Sequence, residues 1–370
     1  MLESLGKTKH WSVRRRTKVM EYIRDQAPLL WDTPPVDIIN VNNGLLNVET
    51  HELRAHTPDF LSLVQLPIKY DPEAQCPATE IFVNEVFPED AQEVAWEIIA
   101  WLMTPDMSLQ KAIMLVGDGS NGKSTWLTSV TNFLGKSNVS ALSLHKIETD
   151  RFSPARLIGK LANICPDLPT THLASTSTCK AIVGGDLLPA ERKFRDSFEF
   201  SPFARLVFST NEPPQSSDAS YAFLRRWLVI PFDHAFEGNK IRKDVLDDQL
   251  SDPGELSGVL NKALAALHRV RDRGISESDS MTIAFQAFQQ ATDPIAVWLE
   301  SNLEVGLDCY VAKGLLYVKY REDAVENLSD KKFGKRVREI YPQVKEGLRT
   351  INGRGVRCWL GIVLRRIDDV

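Results

Sequence analysis

Gly117-Asp118-Gly119-Ser120-Asn121-Gly122-Lys123-Ser124, continued by Thr125, fits the pattern G-x-x-x-x-G-K-[ST]. Glycines let a backbone curl until successive N–H groups converge on one phosphate. The N-terminus of the helix that follows adds partial positive charge. In this reading Lys123 reaches the β- and γ-phosphates and Ser124 holds Mg²⁺. The pattern follows a short apolar run, Ala112 to Val116, and opens the helical run Trp126 to Leu134, which is the context it requires. The chemistry expected is binding of a nucleoside triphosphate with Mg²⁺.

What the triphosphate is used for depends on residues further along. Asp167 ends the apolar run Leu161 to Cys165, with Pro166 between. An acid at such a strand end can hold Mg²⁺ through water and orient an attacking water; Asp beside Pro is also ordinary turn chemistry. Asn211 follows the run Arg205 to Phe208 and offers an amide to the γ-phosphate or its water, or is a plain turn residue. Arg225 and Arg226 stand just before the run Trp227 to Ile230. Such a pair is commonly a surface ion pair, yet beside a neighbouring subunit's phosphate site it serves as an arginine finger. Arg192-Lys193-Phe194-Arg195 combines cations with an aromatic ring, adequate for phosphate and base contact and equally compatible with a solvated turn.

These residues need a scaffold, and the length of 370 residues allows two or three domains. The composition, 43% hydrophobic, 25% charged and 8% aromatic, excludes disordered, collagen-like and disulfide-scaffold classes. The net charge of -5 excludes a basic field over the whole chain. The charge is unevenly spread: residues 1–106 carry 9 basic and 17 acidic side chains, whereas residues 331–370 carry 11 basic and 4 acidic. A basic end on an acidic protein points to an anionic partner there. The five cysteines are scattered with no C-x-x-C pair, which fits neither a zinc site nor a disulfide framework. There is no stretch of 18 apolar residues, and the start is polar and basic, so a cytoplasmic protein without a membrane span is expected.

Short branched apolar runs alternate with helical patterns at 171–183 and 255–272, which argues an α/β core with a largely parallel sheet. Before it, Ile38 to Val48 around Asn42-Asn43-Gly44 reads as a hairpin, 59–90 as loop and short strand, and Asp90 as the cap of a helix through Leu102. A boundary is expected near Pro105. After it come helices interrupted at Pro294, a helix spanning Leu315 to Val325, another after Ser329-Asp330, and a hairpin with its tip at Asn352 to Gly355. Three short helices and a hairpin suggest a winged helix.

Together the motifs resemble the superfamily 3 helicases, and more closely the helicase half of phage and plasmid primase-helicases related to the poxvirus primase-helicase. The resemblance also takes in Ile39 to Leu46, Ile68 to Pro72, Lys180 to Asp186 and Phe203 to Pro214. It implies an N-terminal α+β domain of that family at 1–105, a P-loop AAA+-type ATPase domain at 106–275 and a winged-helix DNA-binding domain at 281–370. It implies a ring-forming, hexameric DNA helicase moving 3′ to 5′ in phage, prophage or plasmid replication, with a primase or other replication protein as partner. Lys123, Asp167, Asn211 as sensor and Arg226 as finger would be catalytic. Lys193, with Arg192 nearby, would contact a single strand in the central channel. Lys332, Lys335, Arg336 and Arg354 would hold duplex at the winged helix. The family commonly has two adjacent acids where Pro166 precedes Asp167 here. An ATP-gated origin-binding or loading factor that does not unwind is the alternative, and an ATP-dependent phosphotransferase a third.

Overall fold

Runs of branched apolar residues too short for helices become the buried strands of this protein, and longer amphipathic runs cover them. The computed structural model describes residues 12–26, 34–216, 220–234, 243–323 and 328–365. Residues 1–11 of the polar, basic start, and Val325 in the expected helix, lie outside the described residues.

The described chain opens with α1 (Val13–Gln26), then the antiparallel strands β1 (Ile38–Val41), β2 (Gly44–Asn47) and β3 (Leu53–Arg54). Helices α2 (Pro77–Val86) and α3 (Gln92–Leu102) follow. The central part runs β4 (Ala112–Val116), α4 (Lys123–Leu134), β5 (Val139–Ser140), α5 (Leu144–Thr149), β6 (Ala162–Cys165) and α6 (Ser177–Gly184). A hairpin of β7 (Leu188–Ala190) and β8 (Phe198–Phe200) leads to β9 (Arg205–Thr210), α7 (Tyr221–Leu224) and β10 (Trp227–Pro231). Helices α8 (Lys243–Leu250), α9 (Pro253–Arg273) and α10 (Asp279–Thr292) come next. The C-terminal module comprises α11 (Pro294–Asn302), β11 (Leu303–Ala312), α12 (Lys313–Glu322), α13 (Asp330–Ile340), β12 (Lys345–Ile351) and β13 (Arg354–Leu364).

The central sheet has five strands in the order β10-β4-β9-β6-β5, all parallel. Alternate residues of each strand enter two different apolar layers. Ile113, Leu115, Val207, Leu228 and Ile230 pack with α2, α3, α4 and α9. Met114, Leu206, Phe208, Trp227 and Val229 pack with α5, α6 and α10 on the other face. The expected α/β core with a parallel sheet is present.

The first of these layers does not stop at Pro105. It runs from Ile39 on β1 through α3 and the sheet to Met281 on α10. Helix α9 lies close enough to the 71–76 segment that a Cβ on Gly258 would fall 2.2 Å from the Gln75 carbonyl carbon. Ser257 and Asn261 tie the same segment by donating to the carbonyls of Lys69, Asp71 and Ala74. The third core, around Trp298, Tyr320, Phe333, Val337 and Trp359, belongs to the C-terminal module.

Several local expectations are corrected. Pro77–Val86 is a helix rather than loop or strand, with proline in the first turn where its missing N–H costs nothing. Asp90 sits in a 3₁₀ turn before α3 and does not cap it; its carboxylate accepts from Ser280 N at 2.9 Å and so caps α10. Those bonds from Ser280 hold the Asp90 carboxyl below the usual carboxylate range. Residues 171–176 are not helical, because Leu173 instead bonds to Gln215 in the segment after β9. Strand β11 was not expected; Gly306 and the bulge after Val305 hide its alternation.

Arg205, at the start of β9, is completely buried. Its guanidinium donates to the carbonyls of Phe203 (2.8 Å), Trp101 (2.9 Å) and Leu102, closing the C-terminus of α3. Burial pushes its pKa down to about 9, and it stays charged at neutral pH. Arg205→Ala strips partners from three buried carbonyls and leaves a cavity, so an expected loss of about 3–5 kcal/mol should appear as an earlier urea unfolding transition.

Candidate functional site

Parallel strands collect their following loops at one edge, the carboxyl edge, where ligands of α/β proteins bind. Three of the residue groups picked out from the sequence meet there. The 117–124 loop leaves β4, Asp167 follows β6 and Asn211 follows β9. Strand β9 lies between β4 and β6, so Asn211 is carried by the strand next to the loop and Asp167 by the strand after that. Gly117 N donates to Thr210 O at 3.4 Å, which sets the start of the loop against the residue before Asn211. Leu168 N donates to Ser209 O at 2.9 Å and brings the Asp167 turn to the same place. Asp167 and Asn211 are both exposed.

The loop is built for close backbone approach. A Cβ at Gly117 would lie 2.2 Å from Phe232 O and 2.6 Å from Asn121 Nδ2, so glycine alone fits. Asn121 is buried and donates to Phe232 O just past β10, clamping the loop to the next strand. Asp118, Gly119 and Ser120 form its exposed crest, with Ser120 at φ +65°. Gly122, in the left-handed region, opens α4, and no side chain caps that helix. Its first N–H groups, including those of Lys123, Ser124 and Thr125, therefore lie at the positive end of the helix dipole.

Lys123 is only 6% exposed. Its Nζ donates to the carbonyls of Gly117 and Asp118 (2.8 Å) and to Asn121 Oδ1 (2.9 Å). Among the described residues no carboxylate forms an ion pair with it. Burial lowers its pKa, offset in part by Asp118. A buried ammonium held by neutral acceptors suits an anionic ligand, and this cradle fits the phosphates of a nucleotide. The exposed Ser124 hydroxyl and the Asp167 carboxylate are hard oxygen donors of the kind Mg²⁺ takes, one or two at a time, beside phosphate oxygens.

Arg226 is not part of this cluster. It precedes β10, whose Trp227 pairs with Ala112 at the start of β4, so it stands at the opposite, amino edge of the sheet. Five strand residues put it about 17 Å from the loop of its own chain. Its guanidinium donates to Ala222 O, and Arg225 reaches Gln110 Oε1 at 3.4 Å. Trp227 beside it is enclosed by Phe208, Phe223 and Phe288.

Arg192, Lys193, Phe194 and Arg195 form the exposed tip between β7 and β8. Phe194 adopts φ +62° and its side chain is fully exposed. Arg192 lies over the Phe198 ring at 5.2 Å, and Arg151 pairs with Glu191 at the base of the tip. Upstream, Glu148 caps α6 by accepting from Cys179 N at 2.7 Å, a contact between distant segments with no local sequence signal.

In the C-terminal module the expected basic surface is divided. Arg336 is the departure: its guanidinium is bonded to Asp293, the N-cap of α11, and to Glu339 at 2.9 Å. Lys335 pairs with Glu339 at 3.4 Å, and Arg338 with Glu346 at 2.7 Å. Lys332 and Arg354 are exposed.

Residues 7–88 match the family described as D5 N terminal like, and residues 115–226 match a family of unknown function, DUF5906. The protein named "Putative helicase 121R" of Invertebrate iridescent virus 3 is 26% identical over 242 residues, which covers 60% of this chain and 25% of that protein. The chain thus spans about a quarter of that curated relative's length. The apo A form of the NrS-1 C-terminal region shares the fold, with TM-score 0.56 at 12% identity, over 95% of this chain and 91% of that one. These matches support a likeness to phage and viral primase-helicase-like proteins.

Both family matches fall on the structure just described. The first ends at Pro88, two residues beyond α2, and the second begins inside β4 and ends at Arg226. The 117–124 loop, Asp167, the β7–β8 tip and Asn211 all lie within the second. No helix among the described residues is long and apolar enough to cross a membrane.

Proposed function

We propose that this chain is the motor part of an ATP-dependent DNA helicase of the superfamily 3 type, forming a homo-hexameric ring and moving 3′ to 5′ in phage, prophage or plasmid replication. The observation that carries the reading is the meeting of the 117–124 loop, Asp167 and Asn211 at one sheet edge, with Arg226 at the other. In this reading the loop is a P-loop in an AAA+-type core whose apolar layer also takes in the strands and helices before Pro105, and the winged-helix domain is the module from Pro294 onward.

ATP supplies the bond to be broken, and Mg²⁺ neutralises charge on its phosphates. The amides from Asp118 to Thr125 would cradle those phosphates, and Lys123 would turn from its loop carbonyls to the β- and γ-oxygens. Ser124 and Asp167 hold the metal. Asn211 orients the attacking water or senses the γ-phosphate. Arg226 is too far from its own loop to act there, so it completes the site of the neighbouring subunit. The exposed cations Arg192 and Lys193 follow the backbone of one strand in the channel. A primase or other replication protein of the host cytoplasm would be the partner.

The test is ATP-dependent displacement of a labelled strand from a forked DNA with a 3′ tail. Wild-type protein should displace it, and Lys123→Ala should not. Turnover and tight DNA binding with no displacement would replace the motor by an ATP-gated loading factor.

A further inference from the structure

The three-stranded sheet of the C-terminal module, order β11-β13-β12, has helices on one face only. Directly opposed residues of an antiparallel pair share a face. Val311, Trp359 and Glu346 form one such row. Val311 and Trp359 are buried against α11, α12 and α13, and Glu346 pairs with Lys313 and Arg338, so this row faces the helices. The rows on either side of it face away: Tyr310, Leu360 and Lys345; then Ala312, Cys358 and Gly347; then Val356 and Arg349; then Arg354 and Ile351.

That open face holds three cations and no acid in these rows. Lys345, Arg349 and Arg354 are exposed and, among the described residues, take part in no ion pair, whereas three of the five cations of α13 do. Arg349 and Lys345 lie four residues apart on β12, a spacing of about 14 Å along the strand. Tyr310 is 43% exposed, and the Arg349 guanidinium lies 5.8 Å from its ring centroid. A sheet face that presents an aromatic ring, a guanidinium beside it and exposed cations without ion pairs among the described residues has the chemistry that holds unstacked bases and their phosphates.

We propose that this open sheet face, centred on Tyr310 and Arg349, is a binding platform for single-stranded nucleic acid. It is distinct from the β7–β8 tip and from the outer surface of α13. The choice of ligand rests on the motor reading above, since an unwinding enzyme must hold the strand it exposes.

The test is fluorescence anisotropy of a labelled oligo-dT strand with the full chain, over a series of salt concentrations, in the wild type and in Lys193→Ala. Binding should persist in Lys193→Ala. Adding Tyr310→Ala should weaken it about tenfold or more. Adding Arg349→Ala should also lower the slope of log affinity against log salt by about 0.7. Circular dichroism melts of each variant separate lost binding from lost folding. Several results would overturn the platform: variants that bind like their parent, a loss that appears only in Lys332→Ala, or displacement of the strand by polyglutamate at equal charge. Complete loss of binding in Lys193→Ala would do the same. Failure of the wild type to bind the strand at all sinks the motor reading together with the platform, whereas variants at Tyr310 and Arg349 that bind like their parent overturn the platform alone, so the two failures are distinguishable.

Discussion

Replacing Lys123 by alanine should lower nucleotide turnover by about 10²–10³-fold, the cost of removing one preorganised charge from a phosphoryl-transfer site. The reason lies in where the ammonium is held. It is buried and bonded to the Gly117 and Asp118 carbonyls and to Asn121, with no ion-pair partner among the described residues. Alanine keeps the helix start but leaves the phosphates without their positive charge, and it removes a link that holds the loop together. Phosphate release should show the lost turnover, and a fluorescent ATP analogue should show weakened binding as well. Lys123→Arg is the informative companion, since its planar fork does not reproduce a point charge in the same cradle. Turnover within a few-fold of wild type in Lys123→Ala would place the chemistry elsewhere in the molecule.

The second large effect concerns Arg226. Arg226→Ala should reduce turnover by about 10³–10⁵-fold while ATP binding is retained, the behaviour of an arginine finger. Its position at the amino edge of the sheet makes the claim specific: the loss must arise between chains. A mixture of Lys123→Ala and Arg226→Ala chains contains interfaces where an intact loop meets an intact arginine. Such mixtures should recover part of the turnover that neither variant shows alone. No recovery, with assembly verified by sedimentation, would remove the assignment in trans. Full activity of Arg226→Ala would remove the finger altogether, with Arg225 the next residue to test.

Legibility from sequence followed how local each signal is. The 117–124 loop could be read because a glycine pattern, a preceding strand and a following helix occupy one short stretch. The parallel strands could be read because strands buried on both faces are continuously apolar. Helix ends could not be read where their caps come from elsewhere. Glu255 accepts from Thr79 N at 2.6 Å and caps α2, Glu148 caps α6 and Asp90 caps α10, each from a distant part of the chain. Asp90, next to an apolar periodic run, looks like that run's own cap, and only the packing of α10 against its turn redirects it. Charge counting misjudged Arg336 for the same kind of reason: the acid that binds it, Asp293, is 43 residues away in sequence. The arginine's place off the apolar face of α13 says nothing about that partner. Asp167 and Asn211 were found as strand-end polar residues, but which of them sits beside the loop depended on strand order, which spacing does not encode.

The apolar layer that passes beneath Pro105 bears on how such a protein can be inherited and rearranged. The two stretches that match known families, 7–88 and 115–226, are joined through α9, which belongs to neither. One face of α9 rests on α3 and α2, and its buried residues share a core with the strands of the five-stranded sheet. A lineage that exchanged either stretch as a cassette would have to bring a matching version of this helix from far downstream. The two halves are therefore expected to travel together, as one heritable unit with its fastening at the far end.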